Sequence, residues 1–308
     1  MSVKPLAGFS PAVKVSQPWF KRQAKIAPYV FTAPFFILFI TFFLIPSLTA
    51  IFISFFKWNG IGTPDWIAVR NFQRIFTDLD FWQAAGNTVI YMFASLFLCV
   101  PLALVVASIL NSRDLGLRSL WRGAFFSPIV TSSVAIALVF KLLYSTDYGL
   151  INGFFSNFGF GKINWLGDPT WAKVSIIILI MWRWTGYTSI YFLAGMQTIS
   201  LELYEAAEID GANSVQKFLR ITLPLLRPII LYVSILVTTG SLQIFEEPYI
   251  LTSGGPANAT MSVAQYLYNQ GIAQLKFGYG SAVGLILFVT IFSLSALQLR
   301  TFGIFRED

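Results

Sequence analysis

Long apolar runs separated by shorter polar segments are the dominant pattern along this chain. An α-helix needs about twenty apolar residues to cross the hydrocarbon core of a membrane, and six runs come close to that length. Because these runs do not alternate with polar positions, they predict helices rather than the strands of a barrel. The expected fold class is therefore an all-α membrane protein with six transmembrane helices. The predicted spans cover about residues 29–56, 87–110, 124–144, 171–196, 228–245 and 279–299.

The segment 201–228 differs most from a simple connection between two such helices. Glu205-Ala-Ala and its apolar neighbours predict a short helix that ends at Gly211, because glycine readily takes the left-handed conformation of a helix C-terminus. A second helix is predicted over 214–223, closing at Pro224, whose ring disfavours helix in the residue before it. We expect a helix-turn-helix exposed to water at a membrane face. The alternative is an amphipathic loop that only solvates the chain.

The same segment resembles the EAA loop of the membrane-spanning subunits of ABC importers. In that family the loop contains the coupling helix, which lies in a groove of the ATP-hydrolysing subunit. Two alanines let a helix approach a partner closely, and Glu205 is able to form a charge-assisted hydrogen bond. The match consists of Glu-Ala-Ala, the glycine, Ile221 and the final Leu-Pro, in order and spacing. The resemblance implies that the coupling residues are Glu205, Ala206, Ala207, Asp210, Gly211, Ala212, Leu223 and Pro224.

The composition agrees with folding in lipid and argues against an enzyme. Hydrophobic residues make up 56% of the chain and charged residues 11%, which is far more apolar than a soluble domain. There is one cysteine, Cys99, and no histidine, so a disulfide framework, a transition-metal site and histidine-based catalysis are not expected. No Walker A loop is found: Gly159, Gly161 and Lys162 lack the upstream glycine and the following serine or threonine. We expect no cofactor on this chain, with ATP and Mg used by a partner ATPase.

The net charge of +7 reflects loop topology rather than binding to nucleic acid. With the N-terminus inside, the cytoplasmic segments hold about thirteen basic residues and the outer loops about seven, as the positive-inside rule predicts. Both termini and the loop 201–228 are then cytoplasmic. Residues 1–25 lack the apolar core and cleavage site of a signal peptide, so we expect a retained cytoplasmic arm; an amphipathic surface helix over 19–26 is the alternative. Residues 26–302 are predicted to form a single permease domain and 303–308 a cytoplasmic tail.

The outer loops 57–86, 145–170 and 246–277 are rich in glycine, asparagine and aromatic residues. We expect short helices along the outer membrane surface there. Such surfaces suit a soluble solute-binding partner, although aromatic belts at the membrane interface explain much of the same composition.

Arg183 is the clearest candidate for function within a predicted span, since ionisable groups at membrane depth are costly. A spacing of four places Arg183, Tyr187 and Tyr191 on one helical face, with Trp184 alongside. An arginine with aromatic neighbours suits a sugar, through hydrogen bonds to hydroxyls and stacking on the ring. The alternative is that Arg183 pairs with an acid or a backbone carbonyl and fixes helix packing.

A second candidate patch lies at the end of the fifth span, where Gln243, Glu246 and Glu247 follow Gly240 and precede Pro248. Such interruptions often mark a transport pathway. Gln243 and Glu247 are four residues apart and are predicted to share a face. Substrate contact is one interpretation; Glu246 in the outer interface or paired with the spanning arginine is the other. The weaker candidates, for which core hydrogen bonding is expected, are Asn87 and Tyr91.

The wider sequence is similar to the carbohydrate-uptake permeases of ABC importers, in the branch that includes maltose, lactose and glycerol-phosphate systems. The similarity rests on Trp-Arg-Trp-Thr-Gly-Tyr at 182–187, Phe-Leu-Ala-Gly-Met-Gln at 192–197 and Phe-Glu-Glu-Pro-Tyr-Ile-Leu-Thr-Ser-Gly-Gly-Pro at 245–256. It covers most of 29–302, without the extra N-terminal spans and external insertion of the larger maltose-type subunit. It implies a second homologous permease (a homodimer is the alternative), two ATP-hydrolysing subunits, a solute-binding protein and a bacterial or archaeal cytoplasmic membrane.

The function expected is that of a permease forming half of an alternating-access pathway for a sugar or oligosaccharide. An ion-coupled secondary transporter is the first alternative, but it would carry titratable groups deep in several spans. A membrane-embedded enzyme is the second alternative and would need a cluster of acid, base or metal ligands at one interface. The acids at 202–210 imitate such a cluster but suit docking better.

Overall fold

The computed structural model describes residues 18–112 and 115–301, with side chains from residue 25 onward. Most of the predicted N-terminal arm and the whole predicted tail therefore lie outside the described residues. The chain divides into two units, Met1–Phe52 and Ile53–Asp308.

The first unit contains one long helical stretch. Helix α1 (Pro18–Phe39) leads through a π-helical turn (Ile40–Leu44) into α2 (Ile45–Ile53). The part Lys25–Ile53 is long and apolar enough to cross a membrane. Residues 19–26 are helical, as one interpretation predicted, but they belong to this long helix rather than to a separate one.

The second unit is also mostly helical, with one small sheet. Strands β1 (Phe56–Lys57) and β2 (Asp65–Trp66) pair antiparallel. The helices that follow are α3 (Arg70–Thr77), α4 (Leu79–Ala94), α5 (Val100–Asn111), α6 (Arg118–Val130), α7 (Ser133–Leu143), α8 (Leu150–Ser156), α9 (Pro169–Met196), α10 (Leu201–Ile209), α11 (Ser214–Lys217), α12 (Leu223–Leu225), α13 (Arg227–Leu242), α14 (Glu246–Thr252), α15 (Val263–Tyr268) and α16 (Phe277–Thr301).

Four to six membrane spans fit the described residues. The helical stretches Lys25–Ile53, Leu79–Asn111, Pro169–Met196 and Phe277–Thr301 each pass the length and hydropathy required of a span. Two further spans are counted only if each of two bent helix pairs crosses as one unit. The apolar runs therefore predicted the positions of the helices. Four of the six predicted spans are single helical stretches, and the other two are bent pairs.

The span predicted over 124–144 is not one continuous helix. Helices α6 and α7 meet at 99°, because Thr131 and Ser132 adopt extended conformations between them. The Thr131 hydroxyl donates to the Ser127 carbonyl at 2.8 Å, and the Ser132 carbonyl accepts the first bond of α7 from Ile136. Polar side chains that bond to nearby backbone compete with helix continuation, which accounts for the bend.

Three prolines inside helices each follow a π-helical turn. The turns Ile40–Leu44, Ser95–Cys99 and Phe218–Thr222 lie just before Pro46, Pro101 and Pro224. A proline inside a helix has no N–H and its ring clashes with the carbonyl four residues earlier. That carbonyl lies within the π turn in every case, where the helix is locally wider. The helix therefore continues through each proline.

The prediction that the second helix of the segment 201–228 closes at Pro224 is wrong for this reason. The helix continues to Leu225, and the change of direction, 70°, comes between Ser214–Leu225 and Arg227–Leu242. The fifth span also ends earlier than predicted, at Leu242 rather than at residue 245.

Small residues let α9 pack closely against its neighbours. A Cβ at Gly186 would lie 1.8 Å from the backbone oxygen of Phe125 on α6, and a Cβ at Gly195 would lie 2.0 Å from the side chain of Ile229 on α13. Close backbone approach through small residues is how helices associate within a membrane. Helix α9 thereby packs closely against α6 and α13.

Candidate functional site

A cavity of about 540 Å³ lies between α9, α13 and the segment that links α13 to α14. Its size is within the range of small-molecule sites in proteins. Every residue that the sequence proposed for substrate contact lines it, namely Arg183, Trp184, Tyr187, Tyr191, Gln243, Glu246 and Glu247. The two candidate patches, around Arg183 and around Glu246, therefore line the same cavity.

Arg183 is held in the cavity wall by two acids and a hydroxyl. Its Nη1 donates to Glu247 Oε1 at 3.2 Å and to Glu246 Oε2 at 3.3 Å, and its Nη2 donates to Ser133 Oγ at 2.6 Å. The Arg183 side chain is 9% exposed. The pairing with acids that the sequence analysis left as an alternative is thus present, and it leaves the guanidinium at the cavity surface.

The two acids differ in their surroundings. The Glu247 side chain is 6% exposed and also accepts a hydrogen bond from Trp184 Nε1 at 3.0 Å, whereas the Glu246 side chain is 55% exposed. A buried carboxylate needs such partners, because an unpaired charge at low dielectric is costly. Glu247 is therefore the fixed partner of Arg183, and Glu246 remains open to the cavity.

A break in the chain places these acids. Helix α13 ends at Leu242, Phe245 takes a non-helical conformation, and α14 starts at Glu246. The expectation that Gln243 and Glu247 share one helical face is therefore wrong. Both nevertheless line the cavity, because the break turns the short helix α14 back toward α9. Gly240 and Pro248 predicted an interruption, and it falls between them.

Three aromatic side chains of α9 line the same wall, and the ring of Tyr232 packs behind the last of them. The ring centroids of Trp184 and Tyr187 are 5.9 Å apart, those of Tyr187 and Tyr191 5.4 Å, and those of Tyr191 and Tyr232 5.7 Å. The hydroxyls of Tyr187 and Tyr191 are hydrogen-bonded at 2.6 Å. The predicted common face of α9 is confirmed, and it presents both ring surfaces and hydroxyls to the cavity.

Ser133 is the partner of Arg183 that sequence reasoning missed. Ser133 belongs to the polar run at 131–133 that interrupts the third apolar run, which was the available signal. Tyr232, in the middle of the fifth apolar run, does not line the cavity and contacts it only through the ring of Tyr191. The weaker candidates Asn87 and Tyr91 do not line the cavity: Asn87 donates to the carbonyls of Asn258 and Met261, both at 3.0 Å, and Tyr91 to that of Thr260. Core hydrogen bonding, the role expected for them, is confirmed.

The segment 201–228 has the predicted helix-turn-helix structure, which we call the elbow. Gly211 has φ 79°, and α10 ends in a Schellman motif. The Gly211 N–H donates to the Glu208 carbonyl at 3.0 Å and the Ala212 N–H to the Ala207 carbonyl at 2.8 Å, the two bonds that define that motif. Asn213 then starts α11 with a capping box completed by Gln216.

Two contacts brace the elbow. The hydroxyls of Tyr204 and Thr222 are 2.8 Å apart, and Lys217 forms an ion pair with Glu208. These contacts join α10 to the second arm, so the turn has a defined angle.

The outer side of the elbow carries exposed apolar groups. Ile209 is 88% and Val215 65% exposed. Apolar surface rimmed by polar residues marks protein interaction sites when it is contiguous, so these side chains are candidates for contact with a partner. Of the predicted coupling residues, Glu205, Ala206, Asp210 and Gly211 are exposed, while Ala207, Ala212, Leu223 and Pro224 are half-buried. Among the residues the structure describes, no group of three or more His, Cys, Asp or Glu side chains is placed to hold a metal ion.

The proteins that this chain resembles are components of transport systems. The family described as "Binding-protein-dependent transport system inner membrane component" matches residues 84–301. The chain is similar to the arabinooligosaccharides transport system permease protein AraP of Bacillus subtilis (strain 168), with 37% identity over 92% of this chain and 91% of the relative. It is 38% identical to the lactose transport system permease protein LacF of Rhizobium radiobacter, over 90% and 94% of the two chains. It is 35% identical to the trehalose/maltose transport system permease protein MalF of Thermococcus litoralis, over 93% and 96%.

Solved structures share the fold. A chain of a bacterial ABC transporter involved in the import of the acidic polysaccharide alginate superposes with a TM-score of 0.81 at 24% identity, covering 93% of this chain and 98% of the other. At that identity the likeness concerns the fold alone.

Proposed function

This chain belongs to the family of binding-protein-dependent transport system inner membrane components and is a permease of an ABC importer, and on that premise we propose that it forms half of the membrane pathway for a sugar or an oligosaccharide. The pathway alternates between outward and inward openings. The observation that carries the substrate class is the central cavity, which combines a row of aromatic rings with a fixed arginine and an open carboxylate. The transport systems of its relatives are described for arabinooligosaccharides, lactose and trehalose/maltose.

The chemistry of the cavity suits a neutral polyhydroxylated ligand. Trp184, Tyr187 and Tyr191 offer ring faces and edges, whose apolar surface matches the C–H face of a pyranose ring. Glu246 is paired on one oxygen and more than half exposed, so its carboxylate is able to accept hydrogen bonds from sugar hydroxyls. Arg183 is paired with two acids, so the three groups together carry one negative charge, which does not favour an anion.

The elbow is the proposed contact with the motor. Its exposed isoleucine and valine would enter a groove of the ATP-hydrolysing subunit, and Glu205 would add a charge-assisted hydrogen bond at the rim. Closure of two such subunits on ATP and Mg would draw two elbows together and rock the helices around the cavity. The braces at Tyr204 and Lys217 support this proposal, because a fixed turn transmits displacement.

The remaining partners follow from this arrangement. We expect a second homologous permease that supplies the other half of the pathway, two ATPase subunits, and an extracytoplasmic solute-binding protein over the outer loops. Both termini and the elbow would lie in the cytoplasm of a bacterial or archaeal cell, with the chain in its cytoplasmic membrane. The placement of basic residues supports this orientation.

Reconstitution tests the substrate class directly. The transporter assembled with its partner subunits and cognate binding protein is offered a panel of labelled saccharides, and uptake and stimulated ATP hydrolysis are measured. Tyr187→Ala and Trp184→Ala should weaken the apparent affinity for the transported saccharide. Phe93→Ala, which removes a half-exposed ring of α4 outside the cavity, should leave that affinity unchanged. An unaltered affinity for every saccharide in both cavity variants would remove this cavity from the pathway.

A further inference from the structure

A second cavity, of about 430 Å³, lies where α16 begins and is lined by basic side chains. Its basic residues are Lys57, Arg70, Arg74 and Lys276, against one acid, Asp65. These are four of the seven or so basic residues in the predicted outer loops. Basic residues are depleted on that side of a membrane, so their concentration around one cavity calls for a specific cause.

The walls of this basic cavity are held together by buried contacts. The Asn71 amide on α3 donates to the carbonyls of Ser54 and Phe56 at 2.7 and 2.9 Å. The Gly278 N–H on α16 donates to the Trp58 carbonyl at 3.3 Å, and a Cβ at Gly278 would lie 1.9 Å from the Phe56 oxygen. The hairpin, α3 and the start of α16 therefore form a pre-built cleft.

The cleft carries an excess of positive charge. Within residues 18–112 and 115–301, no ion pair shorter than 4.0 Å involves Lys57, Arg70 or Arg74. The Arg74 guanidinium lies 4.8 Å from the ring centre of Tyr279, and Lys276 donates to the side-chain oxygens of Gln270 and Gln274. The nearby carboxylate of Asp78 accepts hydrogen bonds from Tyr279 at 3.1 Å and from Tyr266 at 2.7 Å. Its charge and that of Asp65 offset part of the four basic groups, and an excess of positive charge remains.

The cleft also lies at the level where spans begin. Lys276 immediately precedes α16, and Arg74 lies in the last turn of α3, just before α4. Both α4 and α16 start stretches that are long and apolar enough to cross a membrane. Its rim is aliphatic, since Ile61 is 78% and Leu275 51% exposed. Basic groups, aromatic rings and aliphatic side chains at the end of spans are the combination that suits a lipid headgroup.

We propose that this cleft binds the phosphate group of an anionic phospholipid. Arginine forms bidentate hydrogen bonds with phosphate oxygens, and Arg70 and Arg74, one turn apart on α3, offer two such groups with Lys57 opposite. The exposed Ile61 and Leu275 would contact the glycerol and the upper acyl chains. A bound lipid would tie the hairpin, α3 and α16 together at the membrane interface.

Native mass spectrometry of the transporter assembled with its partner subunits tests this proposal. The purified complex is titrated with phosphatidylglycerol and, separately, with phosphatidylcholine. Arg70→Gln combined with Arg74→Gln should weaken retention of phosphatidylglycerol on the order of tenfold, because each basic group near an anionic lipid contributes several-fold. The matched control, Lys162→Gln with Lys173→Gln, removes two outer basic residues that do not line the cleft and should retain the lipid as the wild type does.

Further variants separate lipid binding from folding and from other anions. Arg70→Lys with Arg74→Lys keeps the charge and should keep most of the retention; Lys57→Gln tests the opposite wall should the double glutamine variant not assemble. Equal retention of phosphatidylglycerol in the glutamine variants and the wild type would overturn the proposal. Displacement of the lipid by millimolar inorganic phosphate, or a loss confined to the affinity for the solute-binding protein, would assign the cleft to a different anion and equally overturn it.

Discussion

Removal of the Glu247 carboxylate should destabilise this permease far more than removal of the neighbouring Glu246. Both acids bind the same nitrogen of Arg183, at 3.2 and 3.3 Å, so the two substitutions delete nearly the same contact. They differ in burial, since the Glu247 side chain is 6% exposed and that of Glu246 55%. The two variants therefore compare a buried and an exposed carboxylate that pair with the same nitrogen.

The expected magnitudes follow from that difference. Breaking a buried ion pair by removing one partner costs about 3–5 kcal/mol, because the other charge stays buried without compensation. Glu247→Ala also leaves the Trp184 N–H without its acceptor. Glu246 still neutralises part of the Arg183 charge, so we expect the low end, about 3 kcal/mol. Glu246→Ala removes a largely exposed partner and should cost about 0–1 kcal/mol.

The midpoint of thermal unfolding of the assembled transporter in detergent measures this difference. Glu247→Ala should lower the midpoint clearly, and Glu246→Ala should lower it little. Replacement of both charges, Arg183→Met with Glu247→Met, should recover much of the loss, because no buried charge is then left unpaired. Equal midpoints for the two alanine variants, or a double variant less stable than Glu247→Ala, would refute the reasoning.

Three further predictions follow from backbone geometry and from one engaged carboxylate. Gly211 has φ 79°, and a Cβ there meets nothing within 4 Å, so only the left-handed backbone limits substitution. That geometry costs a bulky residue about 1–2 kcal/mol, and asparagine tolerates it better. Gly211→Val should therefore uncouple ATP hydrolysis from uptake, while Gly211→Asn should largely retain coupling. Equal uptake in both variants would contradict the claim that coupling depends on the left-handed backbone at Gly211. Gly186→Ala should impair assembly, because its Cβ would lie 1.8 Å from the Phe125 oxygen, whereas Gly123→Ala meets nothing within 4 Å and should assemble normally; equal yields on size exclusion would contradict this. Burial raises the pKa of Asp78, but hydrogen bonds from two tyrosines and two backbone amides outweigh it and hold that pKa below its ordinary value. A carboxylate with a lowered pKa in the folded state stabilises the fold above its unfolded pKa, and this stability is lost only as pH falls through the folded pKa. Asp78→Asn should therefore lower the unfolding midpoint equally at pH 5 and pH 8. A penalty that disappears at pH 5 would contradict this.

The apolar runs predicted where helices lie but not how they are directed. Hydropathy records the length of a run, so α9 and α16 were located within a few residues. It carries little information about the 99° bend after Val130, which depends on which backbone carbonyls the Thr131 and Ser132 groups engage. The continuation through Pro224 depends on a π turn, and such turns have no composition of their own.

The elbow was predictable because its determinants are local. A glycine in the left-handed conformation and a following capping box are fixed by residues within a few positions of each other. For the cavity, the sequence predicted several of the residues that line it but not that they contact one another. Arg183 and the two glutamates were singled out separately as costly groups in apolar surroundings, and their contact arises from packing of α14 against α9. No spacing within one helix encodes a pairing across 64 residues.

The contact between the elbow and an ATP-hydrolysing subunit is the claim on which the mechanism depends, and site-directed crosslinking measures it most directly. The native cysteine is buried, at 1% exposure, so a single new thiol dominates labelling by a thiol-to-amine crosslinker. We predict that Ile209→Cys joins the permease to its ATPase subunit and is modified by a membrane-impermeant reagent only from the cytoplasmic side. Ile61→Cys, which lies on the hairpin and is also highly exposed at 78%, should give no such product. Modification of Ile209→Cys from the external face of intact cells, or a crosslink to the ATPase through Ile61→Cys instead, would contradict the account.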